Sequence, residues 1–160
     1  RELNREVDFL SQINDSDSWG IDSKTFSFID SMFGPLTVDR FADNNKKKLP
    51  TFNSRFFCPG TGHVNCFTAD WSNDNNYCAP PVSLVGATIR QLRLCKGRGT
   101  LIVPFWKSSY FWVLLQPDGR EFAEFVQDHI IVRPYYESYG NTTTFNGYAS
   151  FDTIPLKIGF

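Results

Sequence analysis

Residues 77–83 read Tyr77-Cys78-Ala79-Pro80-Pro81-Val82-Ser83, and the class of architecture follows from how this run is parsed. Tyr77-Cys78-Ala79 extends as a buried strand. The two prolines have no N–H to offer a ladder, so the chain must leave the sheet there. Ser83 to Cys95 then places Leu84, Ile89, Leu92 and Leu94 among basic residues, the pattern of an amphipathic helix with cations toward its C-terminal end. Gly97 and Gly99 close that helix, and Thr100 to Val103 is a buried strand ended by Pro104. Strand, proline exit, helix and strand make a βαβ unit. The prolines mark the open end of a parallel sheet, where α/β folds bind ligands.

Upstream, Ser23 stands as N-cap of a helix from Lys24 to Met32, with Phe26, Ile29 and Phe33 on one apolar face. Gly34-Pro35 stops it, and Leu36-Thr37-Val38 is a short strand ending at Asp39. Asn44, Asn45 and three lysines make a polar loop or short helix. Thr51 to Phe57 reads as a strand or extended edge, Pro59-Gly60-Thr61-Gly62 as a loop, and Cys66-Phe67-Thr68 as a short strand leading to Asp70-Trp71. Asn75-Asn76 is read as a turn.

Downstream, Ser108 or Ser109 opens a helix through Trp112 to Gln116, and Pro117-Asp118-Gly119 is a turn. Phe122 to Gln127 is ambiguous. His129 to Val132 and Ile154 to Phe160 read as strands joined by a polar loop holding Gly140, Asn141 and Gly147. Strands and helices alternate and then give way to strands alone, so the expected fold is an α/β three-layer core with an antiparallel terminal pair. Residues 1–18 read as a lead-in and 19–160 as one domain.

A chain of 160 residues is about one domain. The aromatic share of 16%, with sixteen Phe, argues for a packed core against disorder. The formal net charge of −1 gives no overall field toward nucleic acid or anionic membrane, so any such contact is local. The candidates are Lys46, Lys47 and Lys48, and Arg90 and Arg93 in the basic helix; short charge runs are more often only solvated. No run resembles a signal peptide or approaches a membrane span, which sets the expectation of an intracellular protein, cytoplasmic or nuclear. Cys58-x4-His63-x2-Cys66 invites a zinc reading, but structural zinc sites present tight Cys pairs backed by a second pair. Buried free thiols are the favoured account of the four cysteines.

The order of segments resembles the phage-type adenine-N6 DNA methyltransferases in the divergent form found in polyproteins of DIRS-type tyrosine-recombinase retrotransposons. The likeness runs through Trp19, Val38-Asp39-Arg40-Phe41-Ala42 with Asn44-Asn45, Asp70-Trp71, Ala79-Pro80-Pro81-Val82-Ser83, Leu101-Ile102-Val103-Pro104 and Phe111-Trp112. It closes with Tyr148-Ala149-Ser150-Phe151 and Ile154-Pro155-Leu156-Lys157-Ile158. Asn4-Arg5-Glu6-Val7-Asp8-Phe9-Leu10-Ser11 resembles the end of the ribonuclease H domain of such elements, which implies neighbouring domains of a reverse-transcriptase polyprotein as partners.

The resemblance implies a class I methyltransferase fold, Rossmann-like, mostly parallel with a C-terminal antiparallel strand. It also implies S-adenosylmethionine near Asp39, Phe41, Asp70 and Trp71, if that site is retained. The family's catalytic motif is (Asp/Asn)-Pro-Pro-(Tyr/Phe). Its first side chain accepts hydrogen bonds from the target amino group and its aromatic stacks on the flipped base. Here Ala79 and Val82 stand at those two positions, around Pro80 and Pro81, so no catalytic residue and no bound cofactor are expected. The expectation is a degenerate domain that is structural or contacts DNA or RNA. An active S-adenosylmethionine-dependent enzyme and a protein interaction module are the alternatives.

Overall fold

A computed structural model describes residues 19–138, 146–148 and 150–160. The expected lead-in and its ribonuclease H-like segment, with Gly140 and Asn141, lie outside these residues. In chain order the strands are β1 (Trp19–Ile21), β2 (Val38–Ala42), β3 (Phe52–Ser54), β4 (His63–Val64), β5 (Asn75–Cys78), β6 (Arg98–Pro104), β7 (Val126–His129), β8 (Tyr135–Ser138), β9 (Gly147–Tyr148) and β10 (Thr153–Gly159). The helices are α1 (Ser23–Phe33), α2 (Val85–Leu94) and α3 (Trp112–Leu115).

The main sheet has seven strands in the order β4-β3-β2-β5-β6-β10-β7. The pairs from β4 through β6 are parallel. β10 is inserted antiparallel between β6 and β7. A smaller antiparallel sheet, β1-β8-β9, is not hydrogen-bonded to it. The fold is therefore α/β with a mostly parallel mixed sheet, as the alternation of elements predicts.

Side chains of adjacent strand residues point to opposite faces, and this builds two cores. Cys78, Leu101, Val103, Leu156 and Ile158 pack with Val85, Ile89 and Leu92 of α2 and with Phe111, Trp112 and Leu115. On the other face Tyr77, Ala79 and Ile102 pack with Phe26, Ile29 and Phe33 of α1 and with Trp19, Ile21 and Tyr136 of the small sheet. The apolar face read for the first helix is thus the face it buries. Its cap is Asp22 rather than Ser23: the Asp22 carboxylate accepts from Thr25 N at 3.0 Å, and from Tyr135 N at 3.0 Å. That second bond ties the helix start to β8.

Several boundaries differ from the sequence reading. β2 begins at Val38, not Leu36, and continues to Ala42, so Asp39 lies inside the strand. Cys66–Thr68 is a 3-10 turn, set by Asn65, whose side chain accepts from Phe67 N and whose φ is 61°. The C-terminal hairpin partner is Val126–His129, while Val132 makes only an isolated bridge to Thr153. The helix read from Ser108 to Gln116 is regular only over Trp112–Leu115. β1, β8 and β9 are too short for a period to register.

Asn75 and Asn76 form the start of β5 rather than a turn, both buried. Each amide is satisfied inside the protein. Asn76 Nδ2 donates to the carbonyls of Arg98 at 2.7 Å, Trp71 at 3.0 Å and Asp74 at 3.2 Å. Asn75 Nδ2 donates to the carbonyls of Pro35 and Phe33. An amide whose hydrogen bonds are made inside the protein overrides the turn preference of Asn, because those bonds offset the cost of burying it.

Candidate functional site

β2 is the point at which the strand order reverses: β3 and β4 extend the sheet to one side, β5 and β6 to the other. Open α/β sheets bind ligands in the crevice outside the carboxyl ends of strands at such a point. A cavity of about 590 Å³ occupies that crevice, within the usual range for small-molecule sites. Phe41, Ala42 and Asp43 line it from the end of β2, and Ser54 to Cys58 from the segment after β3. Asn65 to Phe67 come from after β4, and Ala79 and Pro81 from after β5. Leu84 and Ala87 at the start of α2 and Trp19 of β1 complete the wall. The proline corner therefore opens onto a cleft that side chains do not fill.

Ala79 contributes only a methyl group to this wall. Val82 is half-buried and packs between the two cores; its carbonyl accepts from Tyr110 Oη at 2.7 Å. Tyr110 Oη in turn accepts from Gly86 N at 3.2 Å, so the corner is braced against α2. Pro80 is buried behind it.

Asp39 does not line the cavity. It is 2% exposed, and its carboxylate accepts from Lys48 N at 2.9 Å and Phe41 N at 3.3 Å. Burial pushes it up to about 6 despite those two donors. Its work is to fold the loop of 43–48 back onto β2. The acidic residue that does face the cavity is Asp43, whose Oδ1 accepts from Asn45 N and Lys46 N.

Arg40, buried beside Asp39, is bonded throughout. Nε donates to Asn76 Oδ1 at 2.7 Å, Nη1 to Asn53 Oδ1 at 2.8 Å, and Nη2 reaches Asp74 at 3.3 Å. Its guanidinium carbon lies 5.2 Å from the centroid of the Trp71 ring. Burial draws its pKa down, and the nearby Cys78 and Asp74 oppose the shift.

Trp71 is fully buried, with Nε1 donating to the Cys66 carbonyl at 2.8 Å. It supports Phe67 in a stacked pair and Phe41 edge-on, so it sits beneath two cavity walls rather than in one. Asp70 is exposed and closes a turn through Ser72 N at 2.9 Å, which holds its carboxyl below the usual range.

The three lysines after β2 have separate tasks. Lys46 lines the cavity with Nζ 3.7 Å from Asp43, Lys47 sits over the Phe52 ring, and Lys48 reaches Glu137 of β8 at 3.7 Å. Arg90 is exposed on α2, and Arg93 lies over the rings of Phe125 and Phe160. Neither α2 arginine belongs to the cavity wall.

Sequence reading missed Arg55, Phe56 and Phe57 as wall residues. The signal was available: two consecutive Phe in an extended run cannot both face the core. The Cys58, His63 and Cys66 group does not converge, since among the described residues no three His, Cys, Asp or Glu could hold a metal. His63 Nε2 pairs with Thr68 Oγ1 at 2.7 Å, and burial pushes the Cys66 thiol up to about 12. Among the described residues no helix is long and apolar enough to cross a membrane.

Compared with known proteins, the chain matches no family model and no curated protein.

Proposed function

We propose that residues 19–160 are a degenerate adenine-N6 DNA methyltransferase-like domain of a retroelement reverse-transcriptase polyprotein, without methyl-transfer activity, acting as a structural or nucleic-acid-contacting module. The observation that carries the reading is the corner after β5. It stands at the ligand-binding end of the sheet and presents Ala79 and Pro81 to the cleft, with neither a side-chain acceptor for an amino hydrogen nor a ring for a base. Loss of one positioned electrostatic group costs roughly 10²–10³ in rate. Loss of stacking weakens base binding by about 1–3 kcal/mol. The antiparallel insertion of β10 into a parallel sheet agrees with the class I methyltransferase plan.

The open cleft favours one second reading, an active S-adenosylmethionine-dependent enzyme. Methyl transfer from labelled S-adenosylmethionine to single- and double-stranded DNA separates the two. We expect no N6-methyladenine above a protein-free control by mass spectrometry, and its formation in proportion to protein would replace the first reading with the second.

A further inference from the structure

The cleft is aromatic on one bank and small on the other. Its rings come from β2 and from the segments after β3 and β4, as Phe41, Phe56, Phe57 and Phe67, whereas the exit from β5 and the start of α2 give Ala79, Pro81, Leu84 and Ala87. The sheet order β4-β3-β2-β5 sets the two groups on opposite sides. Phe41 and Phe67 are seated on Trp71, at ring separations of 6.4 and 6.1 Å, while Phe56 is 63% exposed and Phe57 81%. Isolated rings on a surface need no explanation, but adjacent rings at the rim of a cavity mark a ligand groove. Their backbone is fixed: Ser54 Oγ donates to the Phe56 carbonyl at 2.6 Å and meets Thr61 Oγ1 at 2.9 Å.

The charged and amide side chains of the same wall are already engaged by the protein. Arg40 is held by Asn53, Asn76 and Asp74, Lys46 lies 3.7 Å from Asp43, and Arg55 also has an interaction partner. Asp43 Oδ1 accepts from Asn45 N and Lys46 N, and Asn65 Oδ1 from Phe67 N. What the cleft presents to an occupant is ring surface faced by small apolar groups. We infer that it binds an uncharged ligand of two or more aromatic rings, stacked on Phe56 and Phe57 and covered by the residues of the β5 exit and α2. Aromatic rings attract one another beyond the area they bury. A charged ligand would give up its hydration only to compete with pairs that already exist. A cavity of about 590 Å³ accommodates a ligand of this size. The ligand class does not depend on descent from a methyltransferase, and methyl transfer does not enter the test.

Fluorescence titration of the 160-residue chain tests this with two probes that share one ring skeleton. N-phenyl-1-naphthylamine is uncharged and brightens on leaving water; 8-anilino-1-naphthalenesulfonate carries the same rings and one negative charge. The uncharged probe is expected to saturate a single site and to bind about tenfold or more tighter than the sulfonate. Its affinity should not fall between about 0.05 and 0.5 M salt, since no ionic contact is there to be screened. Phe57→Ala, at an exposed position, should weaken it roughly tenfold, the cost of one lost ring partner with the area that ring covers. Ala87→Trp, filling the cleft from the opposite bank, should abolish the site. A thermal melt of each variant establishes that it folds, and Phe57→Ala decides alone if Ala87→Trp does not. Adenosine and S-adenosylmethionine at about 1 mM, a concentration that reveals even weak binding, are expected to leave the probe in place. Absence of saturable binding would overturn the inference, as would equal or tighter binding of the sulfonate. So would displacement by either adenosine compound, or an affinity that Phe57→Ala leaves unchanged.

Discussion

Asp39 and Arg40 are consecutive buried charges on β2, and the protein treats them in opposite ways. Arg40 is surrounded by acceptors, whereas Asp39 accepts from two backbone N–H groups and, among the described residues, forms no close ion pair, with Lys48 and Lys46 acting on it only from a distance. Desolvation is the largest influence on Asp39 and raises it from 3.8 to about 6. A raised folded-state value means that protonation favours the folded form. The Asp39 contribution is fully present below about pH 4 and is lost as pH rises through about 6, amounting to about 3 kcal/mol at ~1.4 kcal/mol per tenfold change. Asp39→Asn removes this titration. The stability of the native chain minus that of the variant should therefore fall between pH 4 and 6 and then level, as read from denaturant midpoints across that range. A difference that rises with pH would show that the two N–H donors outweigh burial. The acidic residue was legible in the sequence, but its place was not, because it depends on where β2 ends. The strand runs to Ala42, three residues past its expected end at Asp39, which leaves Asp39 inside β2 and puts Asp43 at the cavity.

At the scale of elements, the parallel half of the sheet is laced by one guanidinium. Arg40 on β2 holds Asn53 of β3 and Asn76 of β5, and Asn76 also holds the Arg98 carbonyl of β6. Gly99 makes the last contact possible, since a Cβ there would stand 2.4 Å from the Asn76 carbonyl oxygen. Arg40→Met fills similar space but leaves two buried amide oxygens without donors. Breaking such a buried network by removing one partner costs about 3–5 kcal/mol, which urea unfolding should record as a lower midpoint. An unchanged midpoint would mean that the asparagines find other donors. The βαβ unit from β5 to β6 and the buried face of α1 were readable because each depends on local periodicity. Asn75 and Asn76 were not, since their strand state depends on partners at Phe33, Arg40 and Arg98. The small sheet escaped for the same reason: β1 joins β8 across more than a hundred residues, as the Asp22 to Tyr135 bond at a separation of 113 shows.

For the molecule as a whole, the prolines marked the end of the sheet onto which the cavity opens, while the rest of its wall was assembled by loops after several strands and could not be read from any one segment. If the corner after β5 has changed only in its side chains, Ala79→Asn with Val82→Tyr should fold. Ala79 has the cavity beside it, and Val82 is half-buried rather than enclosed. A single cooperative melt within a few degrees of the native chain is expected, a shift of ~4 °C corresponding to about 1 kcal/mol in a domain of this size. A broad or absent transition would show that the corner has repacked around its small residues. The position of β10 has a consequence for synthesis. It pairs with β6 and β7 on its two sides, yet the ribosome delivers it after both. Until residues 153–159 emerge, one edge of β6 is open and β7 has no neighbour to join, so the nascent chain must keep a half-finished sheet from meeting another chain. Of the seven strands of this sheet, the last one made is the one that closes the template.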